Sequence, residues 1–122
     1  KARFIYFSII TYSMKDKSLL MQLTGDMPLF RIIDFLVDNK GIDFTKKDIA
    51  SGAGISKASL FNYWPELEKY KIVKITRIFG KTKLYTLNTE SPIAKKILEL
   101  ESTLIKQAML TASRKEEILT SN

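Results

Sequence analysis

The chain has 122 residues, no cysteine, no histidine and a formal net charge of +7, a length that suits one compact domain with its own core. Its hydrophobic fraction of 45% is that of a folded protein and argues against disorder of the whole chain. Without Cys or His there is no disulfide, thiolate metal site, thiol nucleophile or imidazole base, and no clustered Asp/Glu motif replaces them, so neither catalysis nor a cofactor or metal is expected.

Residues 1–25 read as an N-terminal extension. Phe4 to Tyr12 is rich in aromatic and β-branched residues and reads as a strand or an extension that packs on a neighbour. It is too short to span a membrane and is interrupted by Ser8 and Thr11, so no membrane partner is expected. Lys1 and Arg3 in front of it give it a slight likeness to a signal segment, but no small-residue cleavage site follows. Alternatively, Met14 is the natural start. Met14 to Thr24 could form a short helix with Leu19, Leu20 and Leu23 on one side.

Residues 26–90 carry the densest pattern. Asp26 is placed as an N-cap and Pro28 suits a first helical turn. Leu29, Ile32, Ile33 and Leu36 recur at helical spacing, with Phe30 and Val37 widening the stripe, and Gly41 suits a stop. Ile42-Asp43-Phe44 reads as a very short strand. Thr45 with Asp48 approximates a capping box for a helix from Lys46 to about Ser51. Gly52-Ala53-Gly54 turns the chain, Ile55 plugs the turn, and Ser56 caps the next helix. Leu60, Trp64 and Leu67 make its core stripe, with Phe61 beside them as a further core residue. Pro65 inside it predicts a kink or break. From Ile72 the period changes to two. Val73 to Ile78 and Lys83 to Leu87 form a hairpin around the turn Phe79-Gly80-Lys81-Thr82.

Residues 91–122 restart as a helix at Ser91-Pro92, with Ser91 as N-cap. Ile93, Ile97, Leu100, Leu104 and Ala108 form one apolar stripe; Ala94, Leu98, Ile105 and Met109 form an adjacent one. A face this wide has more than one surface to bury. Ile93, Ile97, Leu100, Leu104, Ile105, Ala108 and Met109 are therefore the candidate dimer seam, and the polar tail from Ser113 is expected to fray. The predicted fold is mainly α with a small β-hairpin: a winged helix-turn-helix domain with a long C-terminal helix.

Charge supports the same reading. Thr45 to Leu87 holds nine Lys or Arg and three Asp or Glu, which is +6 of the total +7. An excess gathered in one segment argues for a surface that binds polyanions, above all nucleic acid, rather than for a merely solvated lysine face. In a helix-turn-helix unit the second helix enters the major groove by its N-terminal half. Lys57, Ser59, Asn62 and Tyr63 could lie on that side, Asn able to read adenine and Lys guanine. Tyr63 could equally pack against the hairpin. Lys46 and Lys47 oppose the dipole at a helix start, a small local cost that phosphate contact would explain.

Phe44-Thr45-Lys46-Lys47-Asp48-Ile49-Ala50, Gly54-Ile55-Ser56-Lys57-Ala58-Ser59-Leu60-Phe61, Trp64-Pro65-Glu66-Leu67, Ile72-Val73-Lys74 and Lys83-Leu84-Tyr85-Thr86-Leu87-Asn88 together resemble archaeal winged helix-turn-helix transcription regulators, broadly akin to the ArsR and MarR groups. The resemblance spans about Leu29 to Met109. It implies a cytoplasmic, homodimeric regulator of double-stranded DNA. Ser56, Lys57, Ala58, Ser59, Asn62 and Tyr63 would be the recognition positions, and Arg77, Lys81 and Lys83 the phosphate-contacting wing. The thiolate metal sensor of many ArsR-type repressors has no counterpart in a chain without cysteine. Two alternatives remain at this stage: a winged-helix module for protein partners, and an architectural DNA binder with little sequence preference.

Overall fold

The computed structural model describes residues 18–120; the expectations for Phe4 to Tyr12 and for the start of a helix at Met14 lie outside them. Helix α1 (Leu19–Thr24) is capped by Ser18, whose hydroxyl accepts from the Met21 N–H at 3.1 Å. Helix α2 (Pro28–Asp38) begins with proline at N1, where its missing N–H costs nothing. Asp26 is not its cap. The N-cap position is Met27, with no side-chain bond, and Asp26 instead pairs with Arg31 in the first turn. Arg31 also donates to the Gly54 carbonyl at 3.0 Å, which ties α2 to the helix-turn-helix turn.

Helix α3 (Lys46–Ala53) starts with the full capping box of Thr45 and Asp48. It runs past Ser51 to include Gly52, and Gly54 ends it in the left-handed region at φ 69°. Gly52 has a packing reason. A Cβ there would stand 2.1 Å from the Phe35 ring of α2, so the closest approach of α2 and α3 has no room for a side chain. Helix α4 (Lys57–Lys69) is capped by Ser56, which accepts from the Ser59 N–H at 3.0 Å. The expected break at Pro65 does not occur. The bond proline cannot make would have gone to the carbonyl of Phe61, an exposed residue, where water can replace it.

Strands β1 (Val73–Phe79) and β2 (Thr82–Leu87) pair antiparallel across the two-residue turn Gly80-Lys81. Gly80, at φ 58°, occupies the first turn position, as a type II′ hairpin turn requires. Thr76 is the extra residue of a bulge between Ile75, opposite Tyr85, and Arg77, opposite Leu84. The short strand expected at Ile42 to Phe44 reduces to one bridge, Phe44 to Tyr85, with N–H···O distances of 2.8 and 2.7 Å. Helix α5 (Pro92–Thr120) spans 29 residues, about 43 Å. It does not fray at Ser113, because Arg114, Lys115, Glu116 and Glu117 are good helix formers. Ser91 is buried, and its hydroxyl donates to the Tyr70 carbonyl at the end of α4.

One core joins these elements. Ile32 and Leu36 of α2, Ile49 of α3, Leu60 and Leu67 of α4 and Leu87 of β2 are fully buried, and Ala94 brings the start of α5 against them. Trp64 and Tyr85 meet edge to face at 4.8 Å in its middle. Two expectations need correction. Phe61 is not core: it is 56% exposed, because it lies about 100° around α4 from Leu60, off the buried stripe. The core side of α5 also takes residues from both predicted stripes, Ala94 and Leu98 with Ile97 and Leu104. Ile97 and Leu104 thus pack within their own protomer. Among the described residues no helix is long and apolar enough to cross a membrane.

Candidate nucleic-acid interface

The helix-turn-helix is assembled from local rules. The capping box starts α3, left-handed Gly54 turns the chain, Ile55 packs inward against the core, and Ser56 starts α4. Alignment of the α4 core stripe fixes what is left outside. Lys57, Ala58, Phe61, Asn62 and Pro65 are exposed, while Leu60, Trp64 and Leu67 are buried. Of the residues expected to read a nucleic acid, Lys57, Ala58 and Asn62 are accessible on one helix. Ser56 is exposed with its hydroxyl accepting the cap bond from the Ser59 backbone N–H, Ser59 is half-buried, and Tyr63 is half-buried against the core.

The cations divide into two groups. Lys47, Lys57, Lys81 and Lys83 are exposed, the last two at and beside the hairpin turn. Lys46 is half-buried. Its ammonium lies 4.9 Å from the Trp64 ring centroid, 5.6 Å from Tyr85 and 5.7 Å from Phe61. It therefore sits in a box of three aromatic rings that joins α3, α4 and β2. Burial raises the Tyr85 phenol above its ordinary value, and the Glu68 carboxylate adds to the effect.

Arg77 is exposed but paired within the chain. Its Nε and Nη2 reach the two carboxylate oxygens of Asp43, each at 2.8 Å, and Thr76 donates to the same carboxylate. These bonds, that of Arg77 foremost, hold the Asp43 carboxyl at about 2. The bulge turns Thr76 and Arg77 toward the loop before α3, so the pair fixes the hairpin to the body of the domain. The Arg77 guanidinium also lies 5.6 Å from the Phe79 ring. At the tip, Ile78 and Phe79 are 59% and 60% exposed.

The expected dimer seam is split. Ile93, Leu100, Ile105, Ala108 and Met109 are exposed, whereas Ile97 and Leu104 face the domain. Leu110, Ile118 and Leu119, which were outside the expected seam, are exposed as well, as are Leu23 and Met27 at the α1 end.

No protein-family model matches the chain, and no curated protein matches it in sequence. Solved structures do match its fold. The Staphylococcus aureus MepR–DNA complex aligns over 96% of this chain and 95% of that chain, at 19% identity and a TM-score of 0.58. The antimony-specific transcriptional repressor AntR aligns over 83% and 96%, at 21% identity and 0.50. Bordetella bronchiseptica BpsR, whose DNA binding is regulated by 6-hydroxynicotinic acid, aligns over 90% and 75%, at 14% identity and 0.50. At these identities the likeness establishes the winged-helix fold with a long C-terminal helix.

Proposed function

We propose that this chain is a cytoplasmic, homodimeric transcription regulator that binds double-stranded DNA with sequence preference and carries out no catalysis. The observation that carries the reading is α4: a helix capped at its N-terminus, seated by Leu60, Trp64 and Leu67, that presents Lys57, Ala58 and Asn62 outward. A helix held this way projects its first turns as the major groove requires. Lys47 at the start of α3 and Lys81 and Lys83 on the hairpin supply phosphate contacts on either side. Arg77 acts by setting the hairpin's position through Asp43. A fold neighbour bound to DNA supports the reading, as does the concentration of positive charge between Thr45 and Leu87.

Dimerisation follows from the exposed apolar residues of α5. Ile105, Met109 and Leu110 are 44%, 64% and 65% exposed, an apolar surface that a second copy of the chain would cover.

The test is a fluorescence-anisotropy titration against a random-sequence duplex pool over a salt series, followed by sequencing of the retained fraction. The expected result is binding that weakens steeply with salt and enriches a palindrome. Binding without enrichment would replace regulation with an architectural role. Absence of binding at low salt would overturn the reading and turn attention to a protein partner.

A further inference from the structure

Phe61 is the residue on α4 whose chemistry the proposed function leaves unused. It is a large apolar side chain, 56% exposed, on the element that otherwise offers lysine and asparagine. It is not isolated. Ala58, Phe61 and Pro65 recur at i, i+3 and i+7, all exposed, and form a strip one residue wide along the solvent side of the helix. Asn62 lies beside it. The ring is held from one side by the Lys46 ammonium, 5.7 Å from its centroid, and that ammonium is itself seated over Trp64 and Tyr85. That contact covers one side of the ring and leaves the rest of it open to solvent.

We infer that Phe61, with Ala58, reads thymine by its C5-methyl group, and that the site bound by this protein therefore carries thymine under each α4. The inference rests on the DNA reading above and specifies what α4 selects. In the major groove the thymine methyl is the one apolar group a base pair displays, and Ala and Phe are side chains that contact it. The strip suits that target better than a protein groove. It is one residue wide, and exposed Lys57 and Asn62 lie beside it on the same helix, whereas a helix docking into a protein presents a broad apolar face and protein interfaces are depleted in lysine. Asn62 complements the strip, because the amide can take the N6 and N7 edge of the adenine that pairs with thymine or lies next to it. Lys46 is a positioning residue here: its charge is directed at the rings, and its effect on DNA is exerted through the orientation of Phe61.

The experiment uses the full chain and the tightest duplex retained from the random pool. Each thymine of one half-site is replaced in turn by uracil, which removes the methyl and leaves base pairing intact. The expected result is a loss of about fourfold in affinity at one or two positions, the effect of one buried methyl. Phe61→Ser, which circular dichroism should show folded because the residue is exposed, binds more weakly and no longer distinguishes thymine from uracil at one or more of those positions. The inference is overturned by a retained site without thymine in its half-sites. It is also overturned by a wild-type protein indifferent to every uracil replacement, or by a Phe61→Ser protein that keeps the wild-type discrimination at every position. Each of these leaves sequence-selective DNA binding standing. A protein that binds no duplex overturns that reading and this one together.

Discussion

The two halves of α5 both carry apolar residues and meet opposite fates. From Pro92 to Leu104 the helix lies on the domain: Ala94 is fully buried, and Ile97, Leu98 and Leu104 pack against the core. From Ile105 onward the same face continues, since Ile105 and Met109 follow Glu101 at intervals of four, but the domain has ended. Ile105, Met109, Leu110, Ile118 and Leu119 are 44% to 78% exposed. The hairpin repeats the contrast. Its root is buried through Val73, Tyr85 and Leu87, and its tip exposes Ile78 and Phe79. In both elements an apolar pattern states what a face needs, and distance from the core decides whether this chain supplies it. What the inner half gains from its own fold, the outer half must obtain from another molecule or forgo.

Substitutions on either side of these divides should behave differently. The largest effect is expected at Ala94→Glu, which would bury an unpaired carboxylate where no side chain atom reaches water. It should destabilise the fold by about 4 kcal/mol or more in urea unfolding. Tyr85→Ala at the hairpin root should cost about 3 kcal/mol by the same measurement, whereas Phe79→Ala at the tip should stay within about 0.5 kcal/mol. Equal losses at the two positions would erase the distinction between root and tip. Met109→Glu should leave the protomer's circular dichroism spectrum unchanged and weaken self-association about tenfold or more, because a twofold seam brings the two new charges together. Light scattering over a concentration series would read this, and a wild-type protein that is monomeric at micromolar concentration would remove dimerisation from the proposal.

The smallest effect concerns what keeps the hairpin in place. The Asp43 carboxyl is lowered from 3.8 to about 2 by Arg77 and Thr76. A depressed folded-state value means that the contribution is complete above the ordinary carboxylate range and is lost as pH falls from 3.8 toward 2. Protection of the hairpin amides, taken relative to their intrinsic exchange rates, should therefore fall over that interval in the wild type. In Asp43→Asn it should already be lower at neutral pH and show no further acid step.

The helix-turn-helix was legible in the sequence because its signals are local. Thr45 with Asp48, Gly54 and Ser56 each act within four residues, and each does in the structure what its type predicts. The features that escaped sequence reading depend on partners distant along the chain. Arg77 looks like a free wing cation until Asp43, 34 residues earlier, is brought to it across a bulge that shifts the strand register. The charge of Lys46 is visible in the sequence, but the rings that occupy it come from α4 and β2. Phe61 was assigned to the core on its apolarity, and only the position of Leu60, Trp64 and Leu67 around the helix reveals that it falls outside. On α5 both stripes were correct as apolar faces. Which residues of each stripe the domain covers is set by where α1 and the core lie, and no periodicity within α5 records that.

The contact between Gly52 and Phe35 bears on how this sequence could drift. In a helix interior alanine is ordinarily favoured over glycine by about 1 kcal/mol, yet here the added methyl meets a ring 2.1 Å away. A side chain at position 52 therefore requires the Phe35 ring to move. Loss of the ring, as in Phe35→Leu, would open a space that a side chain at 52 could partly fill. The two sites form a linked pair: a change at the first is best accommodated alongside a change at the second, and a lineage that lost the glycine would be expected to have lost the phenylalanine too.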